Sequence, residues 1–312
     1  DGRLRLYRLL REPRLPILEG HRERLWDLSF SKDGRTLASA GGDGHIRLWD
    51  VETRAPSRVL GRSTLEFNSV SLTPDGRHLV AVNSGGRISG GNISVFDLAS
   101  GSAREISRDE RGIFSARFAP DRKTIASCSH PGVTKLWEPS TGVLIRTLES
   151  DGVGQSFPAY SSDGQTLVTA GADRTVRLWD VGTGARRMTL DGHPDLPYTF
   201  AFAPDDKRLL SGGYDGHIVL WDLSTGMRLR EYRGHRRWIN SVAFVPGTDL
   251  FVSSSDDGTV RIWSVENGDV LLILKVQNEA MCAVPSPDGR RLAITDGLSI
   301  KLYPLDLAVR RT

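Results

Sequence analysis

Short apolar runs separated by polar turns follow one another along the whole chain, without the spacing of an amphipathic helix. The segment 20–60 contains four such runs, at 25–30, 36–40, 46–49 and 57–60. Their length and their alternation of apolar and polar positions predict four β-strands joined by tight turns. We therefore expect this segment to form a four-stranded meander.

The turns between the runs carry residues that favour tight reversals of the chain. Asp33-Gly34 separates the first two runs, and Asp-Gly is a strong hairpin signal because the turn needs a positive φ angle. The same turn recurs in six further segments: Pro74-Asp75-Gly76, Pro120-Asp121-Arg122, Ser162-Asp163-Gly164, Pro204-Asp205-Asp206, Pro246-Gly247-Thr248 and Pro287-Asp288-Gly289. Seven copies of one unit are therefore predicted.

Each unit ends its third run on an aromatic residue. These residues are Trp49, Phe96, Trp137, Trp179, Trp221, Trp263 and Tyr303. They follow one another at intervals of 47, 41, 42, 42, 42 and 40 residues, which is the signature of a repeat architecture. A four-stranded unit has two apolar faces and cannot bury both alone, so radial stacking of the units is expected.

The strongest units also share a Gly-His pair, a Ser, an Asp-Gly pair and a Trp, and in two of the three an Asp follows the Trp. His21, His193 and His235 each stand 28 residues before their Trp. This pattern resembles the WD-repeat β-propeller family over essentially the whole chain. The resemblance implies an all-β fold, a single seven-bladed propeller of four-stranded antiparallel blades, closed by an N-terminal strand in the last blade. The expected blades are 20–60, 61–106, 107–148, 149–190, 191–232, 233–274, and 275–312 with 1–19.

The closure of the ring leaves one choice open. In the family, the last blade typically takes its outer strand from the N-terminus, and residues 15–18 match such a strand. Residues 1–8 and 299–303 are both candidates for the third strand of that blade. Either the N-terminal segment supplies two strands, or residues 1–8 are an extra piece, or more repeats precede them in a longer protein.

Three units carry a full set of His, Ser, Asp and Trp at identical spacing. The sets are His21, Ser39, Asp43, Trp49; His193, Ser211, Asp215, Trp221; and His235, Ser253, Asp257, Trp263. Ser, His and Asp together suggest a nucleophilic triad, but a triad is a single site and this set occurs three times. The resemblance implies instead a buried hydrogen-bond chain from Asp to His to Ser to the Trp indole. We expect the blades with full sets to be the more rigid ones.

The other units depart from this set. The fourth has Asp151 where the His is expected, and the third has Pro131 at the Asp position. The second unit is longer than the others and contains the glycine-rich segment 85–91. This segment lacks the Gly-Lys-Ser/Thr ending of a phosphate-binding loop, so a flap or a plain insertion is predicted.

One end of the propeller collects residues that differ between units. In the family, the face with the fourth-to-first and second-to-third connections commonly binds peptides or proteins. Alignment of the units predicts an inner ring at the channel mouth: Trp26, Asn68, Phe114, Ser156, Tyr198, Asn240 and Met281. An outer ring follows: Arg24, Glu66, Gly112, Gly154, Leu196, Trp238 and Glu279. Tyr214, Asp256 and His130 lie in adjoining loops.

The residues predicted to bind a partner are Arg24, Trp26, Phe114, Tyr198, Tyr214, Trp238 and Met281. Exposed aromatic and Met side chains with Arg nearby are typical of interaction hot spots. The alternative is that these aromatic residues pack against neighbouring loops and only seal the rim.

Charge and cysteine content argue against several other classes. The 41 Lys and Arg residues are interspersed with 38 Asp and Glu, whereas a nucleic-acid binder would cluster its positive charge. Cys128 and Cys282 are too few and too far apart for a disulfide framework or a zinc site, which favours a reducing, cytoplasmic compartment. No apolar run approaches the roughly 20 residues of a membrane helix, and no signal-peptide pattern is present.

The sequence therefore predicts a non-catalytic scaffold that binds proteins, peptides or other domains of its own parent chain, with no cofactor or metal. The resemblance implies the sensor or interaction domain of a larger bacterial protein, and the predominance of Arg over Lys and the start at Asp1 are compatible with it. One alternative is a propeller-based enzyme, a lyase or an oxidoreductase, with its site at the central channel. Such a site needs a cluster of His, Asp or Glu, and the inner ring contains none. Another is purely structural packing within the parent protein.

Overall fold

The computed structural model describes residues 15–84, 90–109, 112–129, 132–148, 156–171 and 173–305. In this part of the chain, 28 strands form seven four-stranded antiparallel sheets, and helices are absent. The predicted all-β, seven-bladed propeller is confirmed. Among the same residues there is accordingly no helix long and apolar enough to cross a membrane.

The strands are numbered in chain order, and each blade is built from four of them. Blade 1 consists of β2 (Leu25–Phe30), β3 (Thr36–Gly41), β4 (His45–Asp50) and β5 (Pro56–Arg62); blade 2 of β6 (Glu66–Leu72), β7 (His78–Ser84), β8 (Gly91–Asp97) and β9 (Ala103–Asp109); blade 3 of β10 (Ile113–Phe118), β11 (Ile125–Ser129), β12 (Val133–Trp137) and β13 (Leu144–Leu148); blade 4 of β14 (Ala159–Tyr160), β15 (Thr166–Ala170), β16 (Val176–Asp180) and β17 (Arg186–Leu190). Blade 5 consists of β18 (Pro197–Phe202), β19 (Arg208–Gly213), β20 (Ile218–Asp222) and β21 (Arg228–Tyr232); blade 6 of β22 (Ile239–Phe244), β23 (Leu250–Ser255), β24 (Thr259–Ser264) and β25 (Val270–Lys275); blade 7 of β26 (Ala283–Pro285), β27 (Arg291–Asp296), β28 (Ser299–Pro304) and β1 (Ile17–Glu19).

Glycine and aspartate shape the turn between the first two strands of a blade. Gly34 adopts a φ angle of 69°, in the left-handed region that glycine tolerates without steric cost. Beside it, the Ser31 hydroxyl donates to the Asp33 carboxylate at 2.6 Å. This hydrogen bond lowers the pKa of Asp33, so the turn is held by an ionised carboxylate. The sequence signal for a hairpin thus corresponds to a specific set of contacts.

The aromatic residue of the third strand packs inside the interface between blades. In blade 6, the ring of Trp263 lies parallel to that of Phe251, with 5.8 Å between centroids. Tyr232 of blade 5 meets both rings edge-on and donates its hydroxyl to the Val265 carbonyl at 2.7 Å. Burial of one such aromatic side chain stabilises the fold by at most about 4–6 kcal/mol. These contacts hold neighbouring blades in a fixed orientation.

A strand from the N-terminal part of the chain closes the ring. β1 pairs antiparallel with β28, with Leu18 opposite Ile300. The Leu302 N–H also donates to the Pro16 carbonyl at 3.0 Å, although Pro16 has no N–H with which to continue the ladder. The closing blade therefore takes its third strand from residues 299–304, and residues 1–8 lie outside the described residues.

Candidate partner-binding face

Blade 1 contains a continuous chain of buried hydrogen bonds. His21 lies with Nδ1 2.9 Å from Asp43 Oδ1 and with Nε2 2.7 Å from Ser39 Oγ. The Trp49 indole N–H donates to the same Ser39 oxygen at 2.9 Å. Since Nδ1–H donates to the carboxylate, Nε2 accepts from the Ser39 hydroxyl, whose oxygen then accepts from the indole. The Arg22 N–H also donates to Asp43, at 3.0 Å, which ties the connection entering the blade to its second turn.

Blade 6 repeats this chain with nearly the same distances. His235 lies 2.9 Å from Asp257 Oδ2 and 2.7 Å from Ser253 Oγ. The Trp263 indole donates to Ser253 at 2.8 Å, and the Arg236 N–H donates to Asp257 at 3.1 Å. Both serines are fully buried, so their oxygens serve the chain and do not face a substrate.

Blade 5 departs from the chain expected for it. The Trp221 indole still donates to Ser211 at 2.8 Å, but His193 Nδ1 bonds the Asp195 carbonyl at 2.8 Å instead of Asp215. Among the described residues, His193 Nε2 and Asp215 Oδ2 have no hydrogen-bond partner. The residue after His193 is Pro194, which has no N–H to donate to the carboxylate as Arg22 and Arg236 do. The expected full set in this blade is therefore corrected to its Ser–Trp bond alone.

Burial determines the charge of the histidines. Burial lowers the pKa of His21 and His235 below the ordinary value, while their aspartate partners partly oppose this shift. Burial also opposes ionisation of Asp257, but hydrogen bonds from His235 and Thr259 hold the pKa of Asp257 well below its usual range. The chains thus contain a neutral imidazole beside a carboxylate at neutral pH.

In blade 4, an arginine stands beside the aspartate of the second turn. Arg177 is 2% exposed, and its guanidinium donates to Asp173 at 2.7 Å. It packs against Gly171 much as the His21 ring packs against Gly41 in blade 1. Asp151, which the alignment places at the His position, lies outside the described residues, as do Pro131, His130, Gly154 and residues 85–89.

The inner ring predicted by alignment has a common backbone feature. At five of its positions the register between the first and second strands shifts: Trp26, Asn68, Phe114, Tyr198 and Asn240. A β-bulge at such a point bends the strand and re-aims the side chain of the extra residue. The fold therefore sets these side chains at the same end of the propeller, next to the channel.

Five aromatic residues from blades 3 to 6 form one continuous cluster at this end, which we call the aromatic arc: Phe114, Phe157, Tyr198, Tyr214 and Trp238. Phe114, Phe157 and Tyr198 contact one another with centroid distances of 5.1–5.7 Å. Tyr198 then lies 5.3 Å from Tyr214, which stacks on Trp238 at 4.3 Å and 15°. The arc thus joins four of the predicted residues with one, Phe157, that was not predicted.

Two members of the arc differ from the sequence-based expectation. Phe157 was not predicted, because the alignment of the seven units placed Ser156 in the inner ring instead. Pro158 follows it, and β14 has only two residues, so the alternation used for the alignment is lost there. Tyr198 was expected at an exposed rim but is 6% exposed, because its neighbours in the arc cover it. For Tyr198 the alternative of packing against neighbouring aromatic residues is therefore the correct description.

On the opposite side of the mouth, three further predicted residues meet. The Arg24 guanidinium lies 4.8 Å from the centre of the Trp26 ring and also contacts the sulfur of Met281. Arg24 forms an ion pair with Glu279, a residue of the predicted outer ring. Trp26 Nε1 is buried and has no hydrogen-bond partner among the described residues. These side chains and the arc enclose the mouth between them.

Below the mouth, an ion pair crosses the inner strands. Arg117 of blade 3 lies 2.9 Å from Asp27 of blade 1, and also donates to Ser69 of blade 2 at 2.7 Å. The Val70 N–H donates to the same Asp27 oxygen, Oδ2, at 2.9 Å. Cys282 lies beside Asp27, and burial raises the pKa of its thiol. The channel cavity here measures about 300 Å³.

The described residues contain no group of three or more His, Cys, Asp or Glu placed to hold a metal ion. Asp27 is satisfied by an arginine and a backbone amide, and both cysteine thiols are buried, with their pKa raised. A second cavity, of about 710 Å³, opens between blades 6 and 7 near Arg24 and Asp256. The chemistry offered at this end is therefore that of aromatic, arginine and amide contacts.

Comparison with known proteins yields one family model and several relatives. The family model described as WD domain, G-beta repeat matches residues 13–50, 100–138, 142–180, 184–222 and 226–264. Spindle assembly checkpoint protein bub3 of Schizosaccharomyces pombe is 39% identical over 74 residues, 24% of this chain and 23% of that protein. Eukaryotic translation initiation factor 3 subunit I of Phaeosphaeria nodorum is 31% identical over 146 residues, 42% of each chain. Target of rapamycin complex subunit LST8 of Bos taurus is 30% identical over 124 residues, 36% of each chain.

The matched segments span less than half the length of these three relatives. All three come from eukaryotes and give no support to the expected bacterial origin. The five segments matched by the family model cover more than half of the present chain. Each runs from the fourth strand of one blade to the third strand of the next, and that third strand carries a Trp. By its repeats and its seven blades, this chain belongs to the WD-repeat family, WD domain, G-beta repeat.

Proposed function

We propose that this propeller is a non-catalytic scaffold that binds a protein or peptide through the face carrying the aromatic arc. The observation that carries the proposal is the arc itself, in which side chains from four blades converge beside the channel mouth. Large aromatic surfaces next to arginine are the usual anchors of protein interfaces. The bulges at Phe114 and Tyr198 fix two of these side chains, and the ring contacts hold the others, so little conformational entropy is lost when a partner binds.

The names of the relatives support a role in assemblies. One is a subunit of eukaryotic translation initiation factor 3, and another is a subunit of the target of rapamycin complex. Each is therefore named for membership in a multiprotein complex. We extend this role to the present chain as a scaffold.

We further propose that the propeller is the sensor or interaction domain of a larger, cytoplasmic, bacterial protein, and that other domains of its parent chain are among its partners. Two buried cysteines, both unpaired, support a reducing compartment. Immunodetection of the native protein in fractionated cells tests this directly. We expect a cytoplasmic band much larger than the 34.3 kDa of this chain. A band near 34.3 kDa, or a band outside the cytoplasmic fraction, would contradict the proposal.

The binding face is tested by removing aromatic surface without opening the core. Trp26→Ala combined with Trp238→Ala removes two half-buried rings from opposite sides of the mouth. We expect this variant to lose partners captured by affinity purification and cross-linking, while its melting temperature stays near that of the wild type. Met227→Ala, on an outer connection and 66% exposed, is the matched control and keeps the partners. Equal capture by both variants would refute the proposed face.

A further inference from the structure

The connection between β21 and β22 brings an Arg-Arg-Trp sequence to the edge of the aromatic arc, and its backbone is fixed. The Arg236 N–H donates to Asp257 at 3.1 Å. The Ser255 hydroxyl donates to the Arg237 carbonyl at 3.2 Å, and the Asp256 N–H donates to the Trp238 carbonyl at 3.1 Å. Two arginine side chains therefore project from a held backbone beside the Tyr214–Trp238 stack.

These two guanidinium groups differ from those of neighbouring arginines. Arg236 and Arg237 are both exposed, and neither forms an ion pair with any residue that the structure describes. Nearby, Arg233 pairs with Glu231 at 2.7 Å, and Arg261 lies 3.9 Å from Asp257. An exposed guanidinium presents several N–H donors in a planar fork that matches a carboxylate.

The carboxylates of the adjoining turns are already used as acceptors inside the protein. Asp257 accepts from His235, and Asp256 accepts from Asn240 at 2.8 Å. Asp215 accepts from the His217 N–H at 2.9 Å, and Asp195 accepts from the Leu196 N–H at 2.8 Å. The acidic groups in this region therefore support the loops, whereas the two arginines offer donors to a ligand.

We propose that the partner is a linear acidic peptide in which Asp or Glu stands next to an apolar or aromatic residue. The apolar residue packs on the Tyr214–Trp238 stack, and the carboxylates bind Arg236 and Arg237. This inference rests on the proposed function, because it takes the face with the aromatic arc as the binding face. It adds the charge and the residue pattern that the face selects.

A random peptide phage library, selected on the immobilised propeller, tests the inference without a known partner. We expect the selected peptides to be enriched in Asp and Glu beside Phe, Tyr, Trp or Leu. A synthetic copy of one such peptide, labelled with a fluorophore, then measures affinity by fluorescence polarisation. Its affinity for the wild type should fall as salt is raised from about 50 to about 300 mM, because the exposed ion pairs are screened.

The variant Arg236→Glu/Arg237→Glu should bind this peptide at least about tenfold more weakly, equivalent to about 1.4 kcal/mol. Arg186→Glu/Arg290→Glu makes the same change in net charge at exposed positions on other parts of the molecule and should bind like the wild type. Circular dichroism checks that both variants are folded.

The outcomes separate the two proposals. Selected peptides without acidic enrichment, or peptides bound equally by Arg236→Glu/Arg237→Glu, would overturn the acidic-peptide inference. If Trp238→Ala alone abolishes binding in that case, the proposed binding face still stands. If neither the charge reversal nor Trp238→Ala weakens binding, both proposals fail. If no peptide is enriched, the acidic-peptide inference fails, and partner capture by the Trp26→Ala/Trp238→Ala variant decides on the proposed face.

Discussion

The residue that follows the recurring histidine differs between blades, and the hydrogen bonds of the histidine differ with it. In blades 1 and 6 an arginine follows the histidine, and its N–H holds the aspartate in place to receive the imidazole. In blade 5 the following residue is Pro194, and His193 turns to a backbone carbonyl. Spacing predicted that the residues of each set are brought near one another. It could not predict which hydrogen bonds form, because these depend on a backbone donor that spacing does not record.

This difference predicts unequal effects of the same substitution. His235→Ala leaves buried Ser253 and Asp257 without their partner and should lower the free energy of unfolding by about 2–3 kcal/mol. His193→Ala removes a ring with only one hydrogen bond and should cost about 1 kcal/mol. Urea denaturation of both variants measures the difference. Equal losses, or a larger loss for His193→Ala, would contradict it.

At the scale of strands, the repeat predicts where the elements lie but not how they are distorted. The seven units, the closing strand and most of the inner ring were predictable, because they follow from periodicity and from the family pattern. The β-bulges were not, since a bulge inserts a residue relative to the partner strand while the unit length stays the same. Phe157 was missed for a related reason, since Pro158 interrupts the alternation that located its equivalents.

The closing strand β1 contains two adjacent aliphatic residues that differ in burial. Leu18 is 1% exposed and packs in a cluster with Leu25 and Trp49 of blade 1, whereas Ile17 is 45% exposed. Leu18→Ala should therefore lower the free energy of unfolding by about 2–4 kcal/mol, and Ile17→Ala by less than about 1 kcal/mol. Thermal melting and urea denaturation would report both values. Similar losses for the two variants would show that β1 does not seal the ring.

At the scale of the whole molecule, blades with different sequences share one geometry. The family model matches the first three strands of blades 1, 3, 4, 5 and 6 but not those of blades 2 and 7, yet blades 2 and 7 also have four antiparallel strands. The hydrogen-bond chain is thus not required for a blade to form. We still predict that a blade with the complete hydrogen-bond chain is more rigid than the others. This prediction now concerns blades 1 and 6, because only they have the complete chain among the described residues.

The buried histidines make the stability of the entire fold depend on pH. Burial lowers the pKa of His21, His193 and His235 in the folded protein below the ordinary value of 6.5. The unfolded chain therefore binds protons more readily. The contribution of these residues is complete above pH 6.5 and is lost as the pH falls below it.

We therefore expect a lower free energy of unfolding at about pH 5 than at about pH 7.5, measured by urea denaturation. His235→Asn should be less stable at both values but should show a smaller difference between them. His78→Asn, which changes a histidine whose side chain is 41% exposed, is the control and should keep most of the difference. An unchanged difference in His235→Asn would contradict the assignment.

The pairing of β1 with β28 also determines when the ring can close during synthesis on the ribosome. The strand at residues 17–19 emerges early, whereas its partner at residues 299–304 is translated last among the described strands. At a translation rate of about 5–20 residues per second, the first strand waits on the order of fifteen to sixty seconds for its partner. During that interval Leu18 and the apolar side chains of blade 1 that it covers are open to chaperones and to other nascent chains. A ring closed by its two ends therefore completes its core only when translation of the propeller is nearly finished.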